Sequence, residues 1–212
     1  MTEEWREGKS IDNWKYVTLG EVADVVDPQP SHRTPAFHDD GIPYVSIKDV
    51  DSNGQVNLKS ARPVSNTVLL EHVKRYDLKL GDFGFGKIGT LGKPFLLPIF
   101  ENRCYTLSAN IILIQPRRNC VPKFIFYYMD SPIIEQKLKE GTNSTSQPAF
   151  GITKAREFPT PLPDLTEQTE IVRRVEGLFA KADAIEERYK NLKEKIDQLP
   201  QSILGKAFSG EL

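Results

Sequence analysis

The feature that most constrains this chain is an apolar repeat near its C-terminal end. From Ile171, the apolar positions Val175, Leu178, Ala182, Ile185, Tyr189, Leu192, Ile196 and Leu199 follow at spacings of four and three without a slip. Charged residues such as Arg173, Arg174, Lys181, Glu187 and Lys190 crowd the positions between them. Only one narrow stripe is greasy, which is the pattern of a coiled-coil seam; a helix lying on its own domain shows a wider apolar face. A helix from Thr166 to Leu199 would be roughly 50 Å long at 1.5 Å per residue, too long for a small domain to cover. The repeat therefore predicts an interaction helix whose seam, Ile171 to Leu199, needs a partner. Asp164 or Thr166 is expected to cap it, and Glu167 and Glu170 suit its positive first turn. Pro200 is expected to end it, with Ser202–Phe208 forming a short terminal helix that packs Ile203, Leu204 and Phe208 back on the assembly.

Before the proline-rich stretch Phe158 to Pro163 the pattern is different. Short β-prone runs, Trp14–Leu19, Pro43–Lys48, Phe83–Lys87, Pro94–Leu97 and Asn110–Gln115, alternate with Gly, Pro, Asp and Asn punctuation. Val121-Pro122 and Ser131-Pro132 each open a short helix, because proline at the first helical position gives up an N–H that is unpaired anyway. A further helix is expected over Asn66–Tyr76, with Leu69, Val73 and Tyr76 on one face. The fold class is α+β: a globular domain over residues 1–163 and a long coiled-coil helix with its short terminal helix over residues 164–212.

Composition narrows the function. With 39% hydrophobic and 27% charged residues, the chain suits a globular protein with a proper core. No apolar run is long enough for a membrane span and the N-terminal segment lacks a signal-peptide core, so a cytoplasmic address is expected. The net charge of -1 excludes a protein that coats nucleic acid indiscriminately. Charge is uneven, however: residues 87–159 carry 10 Lys+Arg against 5 Asp+Glu, whereas both flanking regions are acidic. Taken alone, that basic stretch suits an ordinary solvated face. Cys104 and Cys120 have no metal or redox spacing and are expected to be reduced core thiols.

Several apparent catalytic motifs fail on context. The stretch Gly81 to Thr90 approximates a P-loop, but Ile88 stands where a Ser/Thr hydroxyl would hold Mg²⁺, and Gly92 and Pro94 prevent the helix that phosphate binding needs. Gly84-x-Gly86-x-x-Gly89 likewise opens no helix and has no acidic residue twenty positions on. A glycine-rich turn between strands is the expectation. His32, His38 and His72 include no metal-ligand pair, and no nucleophile elbow or amino-methyltransferase motif occurs. No catalytic, cofactor or metal residues are assigned.

The order of short motifs resembles the specificity subunits of Type I restriction-modification enzymes. Trp14-x-x-Val17-x-Leu19-Gly20-Glu21-Val22-Ala23 is followed by Gly41-Ile42-Pro43-Tyr44-Val45, Leu80-Gly81-Asp82 and Gly86-Lys87-Ile88-Gly89-Thr90. Ser146-Gln147-Pro148-Ala149-Phe150-Gly151-Ile152, Pro161-Leu162-Pro163-x-x-x-Glu167-Gln168-x-x-Ile171-Val172 and Phe208-Ser209-Gly210-Glu211-Leu212 complete the series. The resemblance implies a non-catalytic DNA-reading subunit: target-recognition domains read double-stranded DNA and long helices set the distance between them. S-adenosylmethionine belongs to separate modification subunits, and ATP and Mg to a restriction subunit. Typical members carry two recognition domains and two long helices, whereas no internal repeat occurs here, so the chain reads as one half. Two copies paired antiparallel would rebuild the arrangement and read an interrupted palindrome.

Base reading needs paired donors and acceptors on loops that enter a groove, with cations on neighbouring phosphates. Three loops qualify as DNA-binding. They offer Gln29, Ser31, His32 and Arg33; Lys87, Thr90 and Lys93; and Thr142, Asn143, Ser144, Thr145, Ser146 and Gln147; with Lys154 and Arg156 as backbone contacts. Competing readings are a coiled-coil adaptor that binds only proteins, and a fragment of a methyltransferase or nuclease.

Overall fold

A computed structural model describes residues 14–87, 92–141 and 151–210. The chain divides into two compact units, Met1–Thr169 and Glu170–Leu212. In chain order the elements are β1 (Lys15–Thr18), α1 (Leu19–Val22), β2 (Ala23–Val26), β3 (Phe37–Val45), β4 (Arg62–Val64), α2 (Asn66–Val73), β5 (Phe83–Gly86), β6 (Pro94–Leu96), β7 (Thr106–Leu107), β8 (Ile111–Pro116), α3 (Pro122–Met129), α4 (Pro132–Gly141), α5 (Ile152–Arg156), β9 (Pro159–Leu162) and α6 (Leu165–Ser209). This is the expected α+β class with a long terminal helix.

Three small sheets build the first unit. The largest is antiparallel, in the order β2-β8-β5-β6; a second has the order β4-β3-β7, and β1 pairs with β9. The runs anticipated from alternation all contain strands, but β2, β4, β7 and β9 were not anticipated. Strand β9 is the clearest case: the proline-rich segment Pro159-Thr160-Pro161-Leu162 pairs antiparallel with β1. Proline is tolerated there because a two-stranded ribbon has free edges.

The core gathers residues from both of the larger sheets. Val45, Phe95, Leu97, Tyr105, Leu107, Ile111 and Leu113 are all buried in one cluster. The nucleotide-like glycines belong to this core. Phe83–Gly86 is a fully buried strand, as the β-prone run Phe83–Lys87 anticipated, and a Cβ on Gly84 would lie 2.2 Å from the Phe95 ring. Gly84 is there so that an aromatic ring can lie on the backbone.

Helix α2 is shorter than expected and turned differently. Leu69, His72 and Tyr76 are buried, while Val73 is exposed, because spacings of three and four put the histidine on the inner stripe. Of the two cysteines, Cys120 is buried as expected, with burial pushing its thiol up to about 11, but Cys104 is exposed.

Within α6 the Asp164 carboxylate accepts the Glu167 N–H at 2.9 Å, so Asp164 rather than Thr166 is the cap. Pro200 does not end the helix, which continues to Ser209 and absorbs the segment expected as a separate terminal helix. Residues 177–210 are all exposed, so water can satisfy the Ile196 carbonyl that loses its N–H partner at Pro200. Ile203, Leu204 and Phe208 are accordingly exposed rather than packed back. At 45 residues the helix is roughly 67 Å long.

Candidate nucleic-acid interface

The segment between β2 and β3 starts as a tight turn. Pro30 occupies its second position and the His32 N–H donates to the Gln29 carbonyl at 3.0 Å. His32 has φ 52, a left-handed conformation that a non-glycine residue adopts only when its surroundings hold it there.

Two buried anchors hold it. The first is ionic: Lys87 Nζ donates to Asp27 Oδ2 at 3.0 Å, and both side chains are nearly excluded from water. The His32 ring approaches the same carboxylate oxygen at 3.6 Å. The second is a relay of neutral groups. Gln29 Oε1 lies 2.5 Å from His72 Nε2, and His72 Nδ1 lies 2.5 Å from Thr106 Oγ1. Burial, with Arg103 and Arg75 adding to it, lowers His72 to about 4, so its imidazole is neutral at pH 7. A neutral ring has one donor and one acceptor, which sets the order: Nε2–H donates to Gln29 and Nδ1 accepts from the Thr106 hydroxyl. Thr106 Oγ1 in turn accepts from Arg103 Nη2 at 3.1 Å, and the Tyr76 hydroxyl lies 3.1 Å from it. The Arg103 guanidinium also lies 4.3 Å from the Tyr76 ring centroid.

The Gln29 amide is thereby fully engaged, because its Nε2 donates to Ser31 Oγ at 2.7 Å and to the Arg33 carbonyl at 3.2 Å. Gln29 and Lys87 face inward and hold the loop, whereas Ser31, His32 and Arg33 are exposed. Arg156 is also committed internally, its Nη2 donating to the Val25 carbonyl at 2.9 Å. Lys93 and Lys154 are exposed. Thr90 and residues 142–147 lie outside the described residues. What is described still has a common centre. The Lys87–Asp27 ion pair brings the loop after β5 to the end of β2, and Arg156 brings α5 to the same strand. Two of the three sequence-predicted loops, and the helix that follows the third, therefore meet at one end of β2.

Sequence reasoning missed His72, Thr106 and Arg103, which support the loop from the core side. The available signal was spacing: His72 falls three residues after Leu69 and four before Tyr76. Among the described residues no group of three or more His, Cys, Asp or Glu is placed to hold a metal ion, and no helix is long and apolar enough to cross a membrane.

Comparison with known proteins agrees with this architecture. The chain is 32% identical over 174 residues to the Type I restriction enzyme EcoBI specificity subunit of Escherichia coli, an alignment covering 82% of this chain and 36% of that protein. It is 28% identical to the EcoDI specificity subunit of Escherichia coli, over 95% of this chain and 43% of that protein. Among solved structures, the HsdS subunit of Thermoanaerobacter tengcongensis superposes with a TM-score of 0.65 at 20% identity, covering 97% of this chain and 48% of that one. A structure described as showing complex assembly and conformational transition of the type I R-M system gives a TM-score of 0.67 at 21% identity, again over 97% of this chain and 48% of the other. The chain thus spans less than half the length of these relatives. The model of the Type I restriction modification DNA specificity domain matches residues 11–194, most of the chain, and to that family the chain belongs.

Proposed function

We propose that this chain is a non-catalytic DNA-reading component of a Type I restriction-modification complex, in which each copy reads one half of a bipartite site. The observation that carries this reading is the loop after β2. Its base is clamped by Lys87 and His72 while Ser31, His32 and Arg33 stay exposed, as a probe inserted into a groove requires. In this proposal Ser31, His32 and Arg33, with Thr90 and the 142–147 stretch, face bases and nearby phosphates. Lys93 and Lys154 contact the DNA backbone, and Gln29, Lys87 and Arg156 position the loops.

The second half of the site is read by a second copy. Leu178, Ile185, Tyr189, Leu192, Ile196 and Leu199 are each more than half exposed on α6. Taking a Leu or Ile side chain out of water contributes roughly 1.5–3 kcal/mol, so a matching helix that covers this edge gains far more than it loses by ordering surface side chains. Antiparallel pairing about a two-fold axis places identical readers in opposite orientations, which suits an interrupted palindrome. Methyl transfer and cleavage then belong to partner subunits docked on the pair, with S-adenosylmethionine on the modification subunits and ATP and Mg on the restriction subunit. The test is light scattering on the chain alone and with its modification subunit. A dimer at micromolar concentration supports the reading, and a monomer under both conditions contradicts it.

A further inference from the structure

Strand β8 enters its sheet at the end where two of the polar loops leave it. In the order β2-β8-β5-β6, Val26 pairs with Leu113 and Gly86 pairs with Ile111, so the chain leaves β2 and β5 at the end at which it enters β8. The Lys87–Asp27 ion pair spans that entrance, joining the segment after β5 to the segment after β2. Asn110 immediately precedes β8 and therefore stands between the two segments.

The turn that carries Asn110 is held by its backbone. The Ile111 N–H closes it on the Ser108 carbonyl at 3.2 Å, and the Ser108 N–H donates to the Val45 carbonyl at 2.8 Å. The Ala109 N–H donates to the hydroxyl of the buried Tyr44 at 3.3 Å. The Asn110 carbonyl accepts the Lys87 N–H at 2.8 Å, which ties the turn to the segment after β5.

The Asn110 side chain is committed at one end only. The Ser108 hydroxyl donates to Asn110 Oδ1 and so orients the carboxamide. At the other end, the Nδ2 amino group has no hydrogen-bond partner among the described residues, and the residue is half-buried, not sealed from water. Its polar neighbours are spent inside the chain, Lys87 on Asp27 and Gln29 on His72, Ser31 and Arg33. A carboxamide on a rigid turn, oriented by one bond and open at its donor end, is arranged to meet an acceptor from outside.

We infer that Asn110 is a base-reading residue whose Nδ2 donates to an acceptor on the major-groove edge of one base: purine N7, guanine O6 or thymine O4. A cytosine in that place offers only its amino donor and leaves Nδ2 unpaired. The inference rests on the reading that this end of β2 faces DNA. Its test selects randomised duplexes with the full chain bound to its modification subunit, comparing the parent with Asn110→Asp and Asn110→Ala and measuring the melting temperature of each. Aspartate keeps the turn preference and the bond from Ser108 but puts an acceptor where the donor was. Asn110→Asp should shift the preference at one position toward cytosine, and Asn110→Ala should relax that same position by about 5–50-fold while the rest of the motif is unchanged. Retention of the parent motif by Asn110→Asp, or an equal loss on all sequences, overturns the role of Asn110 and leaves the DNA-reading role of the chain standing. A parent chain that selects no motif overturns both. If alanine lowers the melting temperature by loosening the turn, the aspartate variant alone decides.

Discussion

The side chain of Gln168, fully buried in the first turn of α6, accepts the Val121 N–H at 2.8 Å and thereby caps the start of α3. Its Nε2 donates at 2.8 Å to the Pro163 carbonyl, and the neighbouring Glu167 accepts from the Trp14 indole at 3.1 Å. A Glu-Gln dipeptide that had only the status of a family motif in the sequence is thus the fastening that joins the beginning of the long helix to the recognition domain.

Replacing Gln168 with alanine strands the half-buried Val121 N–H and the buried Pro163 carbonyl. Each orphaned group costs about 1–3 kcal/mol, so Gln168→Ala should destabilise the chain by about 2–4 kcal/mol in urea unfolding. Thr169→Ala, one position on and exposed, should cost less than about 1 kcal/mol. Equal losses at the two positions would contradict the fastening role.

Gly84 separates a structural glycine from a phosphate-binding one. Gly84→Ala pushes a methyl group into the Phe95 ring and should cost about 1–3 kcal/mol or more of stability. Adding ATP or a dinucleotide should leave the melting temperature of the parent chain unchanged. A nucleotide-dependent rise would restore the P-loop reading that Ile88 and Pro94 argued against.

The His72 relay gives stability a defined pH dependence. Its pKa is lowered on folding, so the unfolded chain binds the proton more readily. The contribution is complete above about pH 6.5 and is lost as pH falls through that value toward about 4. Chemical denaturation across this window should show a decline that is absent in His72→Gln, whose baseline stability is lower. A decline of the same size in that variant would place its origin elsewhere.

Much of this was legible from sequence, for reasons that differ by element. The long helix α6 was legible because its apolar residues recur at spacings of three and four without a slip, and the cap at Asp164 because short polar side chains at helix starts serve local donors. Pro200 misled because its cost was judged as if the helix were buried, whereas here every residue around it is exposed. The loops read as DNA-binding were chosen by their polar composition, and Gln29 and Lys87 were assigned outward, whereas the structure turns both inward. A side chain that reads a base and one that grips a buried histidine carry the same donors and acceptors, and only the presence of His72 and Asp27 across the fold distinguishes them. Spacing could place His72 on the inner stripe of α2, but its partners, Gln29 and Thr106, are distant in sequence and left no local sign.

That division between readers and supports makes a specific prediction for binding. Arg33→Ala should cost about 1–3 kcal/mol in DNA affinity and relax specificity at one position, whereas Lys93→Ala should weaken all sequences alike. Gln29→Ala should lower both specificity and stability, because it frees the loop from His72. Fluorescence anisotropy on matched and mismatched duplexes, with the modification subunit present, separates the three patterns; equal behaviour of Gln29→Ala and Arg33→Ala would dissolve the distinction.

The most direct test of two identical readers held on paired helices is a genome-wide map of methylated bases in cells co-expressing this chain and its modification subunit. The account predicts a single interrupted palindrome, with equal half-sites and a constant spacer. A motif with two different halves, or no methylation above background, would contradict it.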